Sequence, residues 1–322
     1  MATVPPKKAE NLTFHGDSRM NERATTMVIA SFAGDSLALG AHWIYDTQAI
    51  HRAFGRVDSL MKPPPNSYHP TKDKGAFTHY GDQTFVLLES LAFRKGFDLS
   101  DFSARWRKLF EDYTGYVDEA TKGTLAVYVS GKRSEDGGSF SDELAGASRL
   151  APLVYTYCND LSALEKATIA QTRMTHNHPI MLDSAAFFVT VAFSVLGGMG
   201  PVEAMERTVR EDFRDSPLSG WVKAGIASAD RESVPVIAGF GQNCHATDAF
   251  PGVVHLIARY QNDLKEALIQ SVMAGGDSAA RAMMVGMILG AYSGSGDLPE
   301  EWLSEMKKAD AILQLLEEIR TL

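Results

Sequence analysis

At 322 residues, 45 % hydrophobic and with a formal net charge of −9, the chain carries enough apolar material for a large buried core. The acidic balance, with no basic run longer than Lys7-Lys8 or Lys307-Lys308, argues against a nucleic-acid surface or a docking site for anionic lipid. Two cysteines, Cys158 and Cys244, are too few for a disulfide framework and lack metal-ligand spacing, which fits a reducing cytoplasm.

In chain order, residues 1–20 are rich in Pro, Lys and Asn and read as a flexible leader without the apolar stretch of a secretion signal. One domain is expected over 21–322. Its first helix begins near Asn21, with a helical run from about Thr25 to His42. Small residues recur every four positions there, at Ala30, Gly34 and Ala38, and again at Ala282, Gly286, Gly290 and Gly294. Such stripes let backbones approach closely, so the first and last large helices are expected to pack together.

From about Gly55 to Tyr80 the chain carries Pro63-Pro64-Pro65, Pro70 and Gly75, which prevents regular helix and fits a loop folded over a site. A helix is expected from Asp82 to near Gly96. Others are expected at about 99–116, 118–129, 162–175, 179–196, 201–211, 218–229, 246–260, 264–274, 278–292 and 299–321. The glycine-rich stretch Gly131 to Gly146 reads as a functional loop rather than a domain boundary. The longest apolar run, Ala185 to Leu196, is too short to span a bilayer, so no membrane is expected. With little period-2 alternation and no fixed repeat, the expected class is all-α, a compact multi-helix orthogonal bundle.

Two separated segments have the same grammar, Gly81-Asp82-Gln83-Thr84 and Gly275-Gly276-Asp277-Ser278. In each, glycine permits a sharp approach and Asp suits a helix N-cap, so the carboxylate either ties off its own helix or points into a pocket. If the two helix starts meet, Asp82 and Asp277 converge, and with Thr84, Ser278 and water they suit a hard cation such as magnesium. Free N–H groups at the same helix starts favour phosphate. A third step, Gly34-Asp35-Ser36, lies inside the first helical run. In His42-Trp43-Ile44-Tyr45-Asp46 an aromatic pair stands beside His and Asp, a set able to stack a base or sugar and orient water. Thr175-His176-Asn177-His178-Pro179 joins two helices, and a transition-metal enzyme using His42, His176 and His178 is a further alternative. No Gly-x-Ser-x-Gly elbow follows a strand, and no Walker or dinucleotide glycine fingerprint is present.

These pieces, in this order, resemble the ADP-ribosylglycohydrolase superfamily, and within it the branch with jellyfish J-type crystallins and selenoprotein J. The resemblance runs from about Arg23 to Leu303. It rests on Ala33-Gly34-Asp35-Ser36-Leu37-Ala38-Leu39-Gly40, Tyr80 to Thr84, Gly146-Ala147-Ser148-Arg149-Leu150-Ala151-Pro152-Leu153, Thr175 to Pro179, Gly275 to Ser278, and Leu298-Pro299-Glu300-Glu301-Trp302. It implies an all-α fold and, in active members, a two-magnesium site that cleaves an ADP-ribosyl bond.

Active members read Thr-Asp-Asp-Thr where this chain has Gly81-Asp82-Gln83-Thr84, and Gly-Gly-Asp-Thr-Asp-Thr where it has Gly275-Gly276-Asp277-Ser278-Ala279-Ala280. Only Asp82 and Asp277 carry over as ligands, so one magnesium ion or none is expected rather than two. Carried over in this way, Asp82 and Asp277 hold a cation or orient water, and His42 or Asp46 handles a proton. Asp35, Gln83, Thr84, Gly276 and Ser278 line the ligand pocket, which Arg149 and His176 also touch. The expected partner is a small-molecule or ADP-ribosylated substrate. The alternative is a non-catalytic ligand-binding or structural crystallin-like protein on the same fold.

Overall fold

The computed structural model describes residues 18–320, and the expected leader lies outside them except for its last three residues, which are already helical. Sixteen α-helices and no strand are found among the described residues. They are α1 (Ser18–Ala38), α2 (Thr47–Phe54), α3 (His79–Arg94), α4 (Leu99–Leu109), α5 (Glu119–Val129), α6 (Ala151–Thr156), α7 (Leu161–Arg173) and α8 (Pro179–Leu196). Then follow α9 (Pro201–Asp212), α10 (Leu218–Ala227), α11 (Ser233–Phe240), α12 (Ala246–Arg259), α13 (Leu264–Met273), α14 (Ser278–Tyr292), α15 (Glu300–Glu305) and α16 (Ala309–Arg320).

The small-residue stripes act as expected, and α1 packs along α14 at the centre of the fold. A Cβ on Gly286 would lie 2.4 Å from the Ala30 carbonyl oxygen, and one on Gly34 would lie 2.7 Å from that of Ala282, so each backbone sits where the other's side chain would have been. Every residue of α14 from Ser278 to Ala291 is buried. α8 packs against α7, α9 and α14. It is 18 residues long and apolar enough by length and composition to cross a membrane, because its apolar character starts at Pro179 rather than Ala185, and 56 % of it is buried in the fold.

Three differences from the sequence reading have local causes. α3 begins at His79 rather than Asp82, because the Thr78 hydroxyl accepts the Tyr80 N–H and caps the helix a turn earlier. The C-terminal helix is split, since the Lys307 N–H leaves the helical ladder to donate to Gly75 O at 2.9 Å. The same tail donates Trp302 Nε1–H to Asp58 O at 2.9 Å, so it straps down the proline-rich loop that precedes α3. Finally α2, α6 and α11, of 8, 6 and 8 residues, are too short for their periodicity to stand out.

Candidate functional site

The starts of α3, α5 and α14 meet. Tyr80, in the first turn of α3, brings its hydroxyl 3.5 Å from Asp277 Oδ2 at the start of α14, and His79 Nε2 lies within ion-pair distance, 3.0 Å, of Asp118 Oδ2 at the start of α5. The helix starts thus converge as the sequence suggests, but the α3 side chain that reaches Asp277 is Tyr80, two residues before Asp82.

Asp277 occupies the N-cap position of α14 without capping it. Its Oδ1 accepts from His42 Nε2 at 3.0 Å, so the carboxylate reaches across to the segment after α1 instead of closing its own helix. Backbone bonds hold the two together: Trp43 N–H donates to Gly276 O and Gly276 N–H to Ile44 O, both at 2.9 Å. This exchange requires φ +64° at Gly276 and imposes φ +64° on Trp43, a left-handed conformation that a bulky residue adopts only when its surroundings dictate it.

A histidine relay follows from these contacts. A carboxylate only accepts, so His42 carries its proton on Nε2. Burial, opposed by the Asp277 hydrogen bond, holds the ring below its ordinary pKa and neutral. Its Nδ1 therefore accepts from His69 Nε2 at 2.8 Å, which leaves His69 Nδ1 a bare lone pair, buried and without a partner. Burial, then the neighbouring His42, pushes the His69 pKa far down.

Above the relay lies a cavity of about 190 Å³. Trp43, Tyr68 and Tyr116 form a corner of three rings, with interplanar angles of 80° (Trp43 and Tyr68), 72° (Trp43 and Tyr116) and 88° (Tyr68 and Tyr116). Tyr45, Tyr80 and Cys244 complete its apolar wall, and among the described residues Asp118, Glu119 and Glu143 are its charged lining. Glu143 is carried in by a loop pinned to the one before α12, where Leu144 N–H donates to Cys244 O at 2.7 Å and Ala246 N–H to Asp142 O at 3.0 Å.

The two deeper carboxyls are pushed apart in proton affinity. Burial raises Glu143, and the negative charges of Asp118 and Asp277 add to it, to about 7. Its Oε2 is buried with no hydrogen-bond partner. Burial also pushes Asp118 upward, but the His79 ring and the Thr121 hydrogen bonds, among them the N–H at 2.6 Å, outweigh it and hold Asp118 well below the usual carboxylate range.

The other expected site residues fall into separate places. Asp82 is bound by Lys72 Nζ and by the Tyr113 hydroxyl, the latter at 2.7 Å. Asp35 is buried mid-helix, accepts Thr78 N–H at 2.8 Å and the Thr78 hydroxyl at 2.5 Å, and is raised to about 6, chiefly by burial. Thr84 donates to its own helix at Tyr80 O, and the Ser278 hydroxyl is buried without a partner.

Arg149 is not a phosphate fork. Its guanidinium is buried and spent on Gln171 Oε1 at 2.8 Å, Gln83 Oε1 at 2.7 Å and the Thr175 hydroxyl at 2.5 Å. His176 is buried beside it with Nδ1 2.9 Å from Thr175 Oγ1, and burial, then the Arg149 charge, lowers its pKa to about 3. Asp46 does not reach the cleft: its carboxylate is 60 % exposed, caps α2 through Gln48 N–H and pairs with Arg52. The His42 ring is surrounded by His69 and His79 rather than by His176 and His178, and His178 caps α8 at Ile180 N–H.

This donor set does not fit a magnesium ion as arranged. Lys72 already supplies the positive charge at Asp82, the Gln83 carbonyl oxygen accepts from both Trp106 Nε1 at 2.7 Å and Arg149, and Asp277 is paired with His42. Among the described residues no group of three or more His, Cys, Asp or Glu has the geometry to hold a metal. The residues that sequence reasoning missed are Asp118, Glu143, Tyr68, Tyr116, His69 and His79. Their only signal was adjacency of aromatic and polar groups inside irregular stretches, as in Tyr68-His69 and Tyr116-Val117-Asp118.

An all-helical domain with carboxyls in an aromatic cleft at converging helix starts is the frame of a glycosyl-bond hydrolase or of a binding protein built on one. The ADP-ribosylglycohydrolase family model matches residues 16–322, and the chain belongs to that family. It is 25 % identical to Crystallin J1A of Tripedalia cystophora over 92 % of this chain and 96 % of the crystallin. It is 26 % identical to the ADP-ribosyl-[dinitrogen reductase] glycohydrolase of Rhodospirillum rubrum over 75 % of this chain and 80 % of that protein. A solved ADP-ribosylglycohydrolase-related protein complex shares the fold, with a TM-score of 0.73 at 23 % identity over 94 % of this chain and 99 % of that chain.

Proposed function

We propose that the protein hydrolyses a glycosidic bond of an ADP-ribosyl or related nucleotide-sugar ligand, with Glu143 and Asp118 as its acid and base. Family membership supports the reaction class. The observation that carries the residue roles is the split between two carboxyls on one cleft, Glu143 held protonated to about pH 7 and Asp118 held ionised.

Cleavage of such a bond needs a proton for the departing atom and a negative charge for the positive charge growing on the sugar carbon. Glu143 gives its proton to the leaving atom as the bond to the sugar breaks. Asp118 faces the developing cation and takes the proton of the water whose oxygen adds to the sugar carbon. His79, beside Asp118, is its positioning residue, and the aromatic corner excludes bulk water.

The test is turnover of ADP-ribosylated protein, ADP-ribose esters and N-glycosides, with magnesium and with chelator, by the wild-type protein, Glu143→Gln and Asp118→Asn. Turnover that survives chelation and is lost in both variants supports the assignment. Turnover only with magnesium, unchanged in Glu143→Gln, removes it. The second reading, a non-catalytic binding protein, is favoured by the internal pairing of Asp82 with Lys72 and Asp277 with His42, and predicts saturable ligand binding with no turnover.

A further inference from the structure

We propose that the cleft receives a compact organic cation of fixed charge, of the quaternary ammonium or N-alkylpyridinium kind, carried by the ligand's leaving group. The bond that is cut rests on the hydrolase reading above, whereas the cation site rests on the cleft alone.

The first argument is charge. The cavity is lined by Asp118, Glu119 and Glu143, and no lysine or arginine among the described residues lines it. Lys122, paired with Glu119 at 2.6 Å, is exposed and outside the lining, and Lys72 is turned to Asp82. A diphosphate would meet carboxylates here with no basic group to pair with, and Arg149, the one guanidinium expected to bind phosphate, is spent elsewhere. The helix starts of α5 and α14 do not restore an anion site, because Asp118 caps α5 and the Asp277 carboxylate, though it does not cap α14, places its negative charge at that helix start.

The second argument is shape. Trp43, Tyr68 and Tyr116 meet with centroids 4.7 to 5.5 Å apart and at near right angles, so their faces and edges bound one corner from three directions. Aromatic faces attract a cation that cannot donate hydrogen bonds, and Asp118, the lining carboxyl held ionised, supplies negative charge beside it. At about 190 Å³ the cavity is below the roughly 300–1,000 Å³ of sites that enclose whole drug-sized ligands, so it takes one head group with the bond to be cut beside it and leaves the nucleotide part of the ligand outside. The left-handed backbone at Trp43, fixed by its bond to Gly276, is strain held at the largest ring of the corner.

The experiment is a calorimetric titration of the full chain, at constant ionic strength, with choline, with its neutral isostere 3,3-dimethylbutan-1-ol, with N-methylpyridinium and with ADP. Both cations should bind saturably and the isostere at least about tenfold more weakly. Tyr68→Leu and Glu119→Gln, at exposed positions, should each weaken choline several-fold while the thermal midpoint stays near that of the wild type. Equal affinity for choline and its isostere, displacement of choline by ADP, or unchanged choline binding in Tyr68→Leu would overturn the proposal. Choline binding without turnover of any glycosidic substrate would leave the cation site standing and remove the hydrolase. Turnover indifferent to saturating choline would remove the cation site and leave the hydrolase.

Discussion

Two buried polar regions draw on successive turns of α3, His79 in one and Gln83 in the other, and they differ in how fully their hydrogen bonds are met. Around Arg149, the three nitrogens of the guanidinium reach Gln83, Gln171 and Thr175, and Gln83 also takes the Trp106 indole, leaving His176 Nε2 as the exception. At the cleft, Glu143 Oε2, His69 Nδ1 and His79 Nδ1 are all buried without a partner. A satisfied network fixes a core, whereas buried groups with unused capacity cost stability and persist where something else uses them. The residue types do not separate these regions, since each contains buried histidines.

The sharpest way to break the contrast is Glu143→Gln, which keeps the shape of the side chain and removes its proton. Turnover of an ADP-ribosyl ester should fall by about 10²–10⁴-fold, while the thermal midpoint stays near that of the wild type. Arg149→Met should do the reverse. It strands the acceptors of Gln171 and Thr175 and part of Gln83, each worth about 1–3 kcal/mol when left unpaired, so chemical denaturation should show a large loss of stability and calorimetry little change in ligand affinity per folded molecule.

The pH profile sharpens the Glu143 role. Its proton is bound below about pH 7 and lost above, so kcat/KM should be level on the acid side and fall by about tenfold per unit above that point. In Glu143→Gln that alkaline limb should disappear from whatever activity remains. Away from both regions, Gly286→Ala should cost about 1–3 kcal/mol in denaturant unfolding, because the added methyl meets the Ala30 carbonyl 2.4 Å away. The smallest effect is expected for Asp46→Asn, whose side chain is exposed and can still cap α2; turnover should be unchanged, and a marked loss would bring Asp46 back to the site.

Much of the fold was legible because its long helices announce both ends. α8 opens on proline and α14 follows Gly-Gly-Asp, and both run at the expected bounds. The small-residue stripes gave the α1 to α14 contact for the same reason, since a four-residue spacing names one face of a helix. What failed was decided by tertiary bonds: the Lys307 to Gly75 link that splits the last helix, and the Lys72 and Tyr113 bonds that hold Asp82 away from Asp277. The loop expected over a site does supply Tyr68 and His69, and the glycine-rich loop supplies Glu143. Which side chains they deliver was hidden, because irregular backbone has no period from which direction can be read. Asp82 was placed a turn too early in its helix, since Thr78 was not recognised as the cap.

The strap by which the C-terminal tail holds the proline-rich loop has its own consequence. Tyr68 and His69 ride on that loop, and the loop is tied to the tail by Lys307 N–H to Gly75 O, by the Trp302 indole to Asp58 O and by Lys74 to Glu305 at 2.6 Å. A protease that nicked the chain between α14 and α15 would cut all three ties off from the body of the fold and free one wall of the distant opening while α1, α8 and α14 stayed assembled. Ligand capture would vanish from a molecule whose circular dichroism spectrum still looked intact, and the far end of the polypeptide would act as the latch of its entrance.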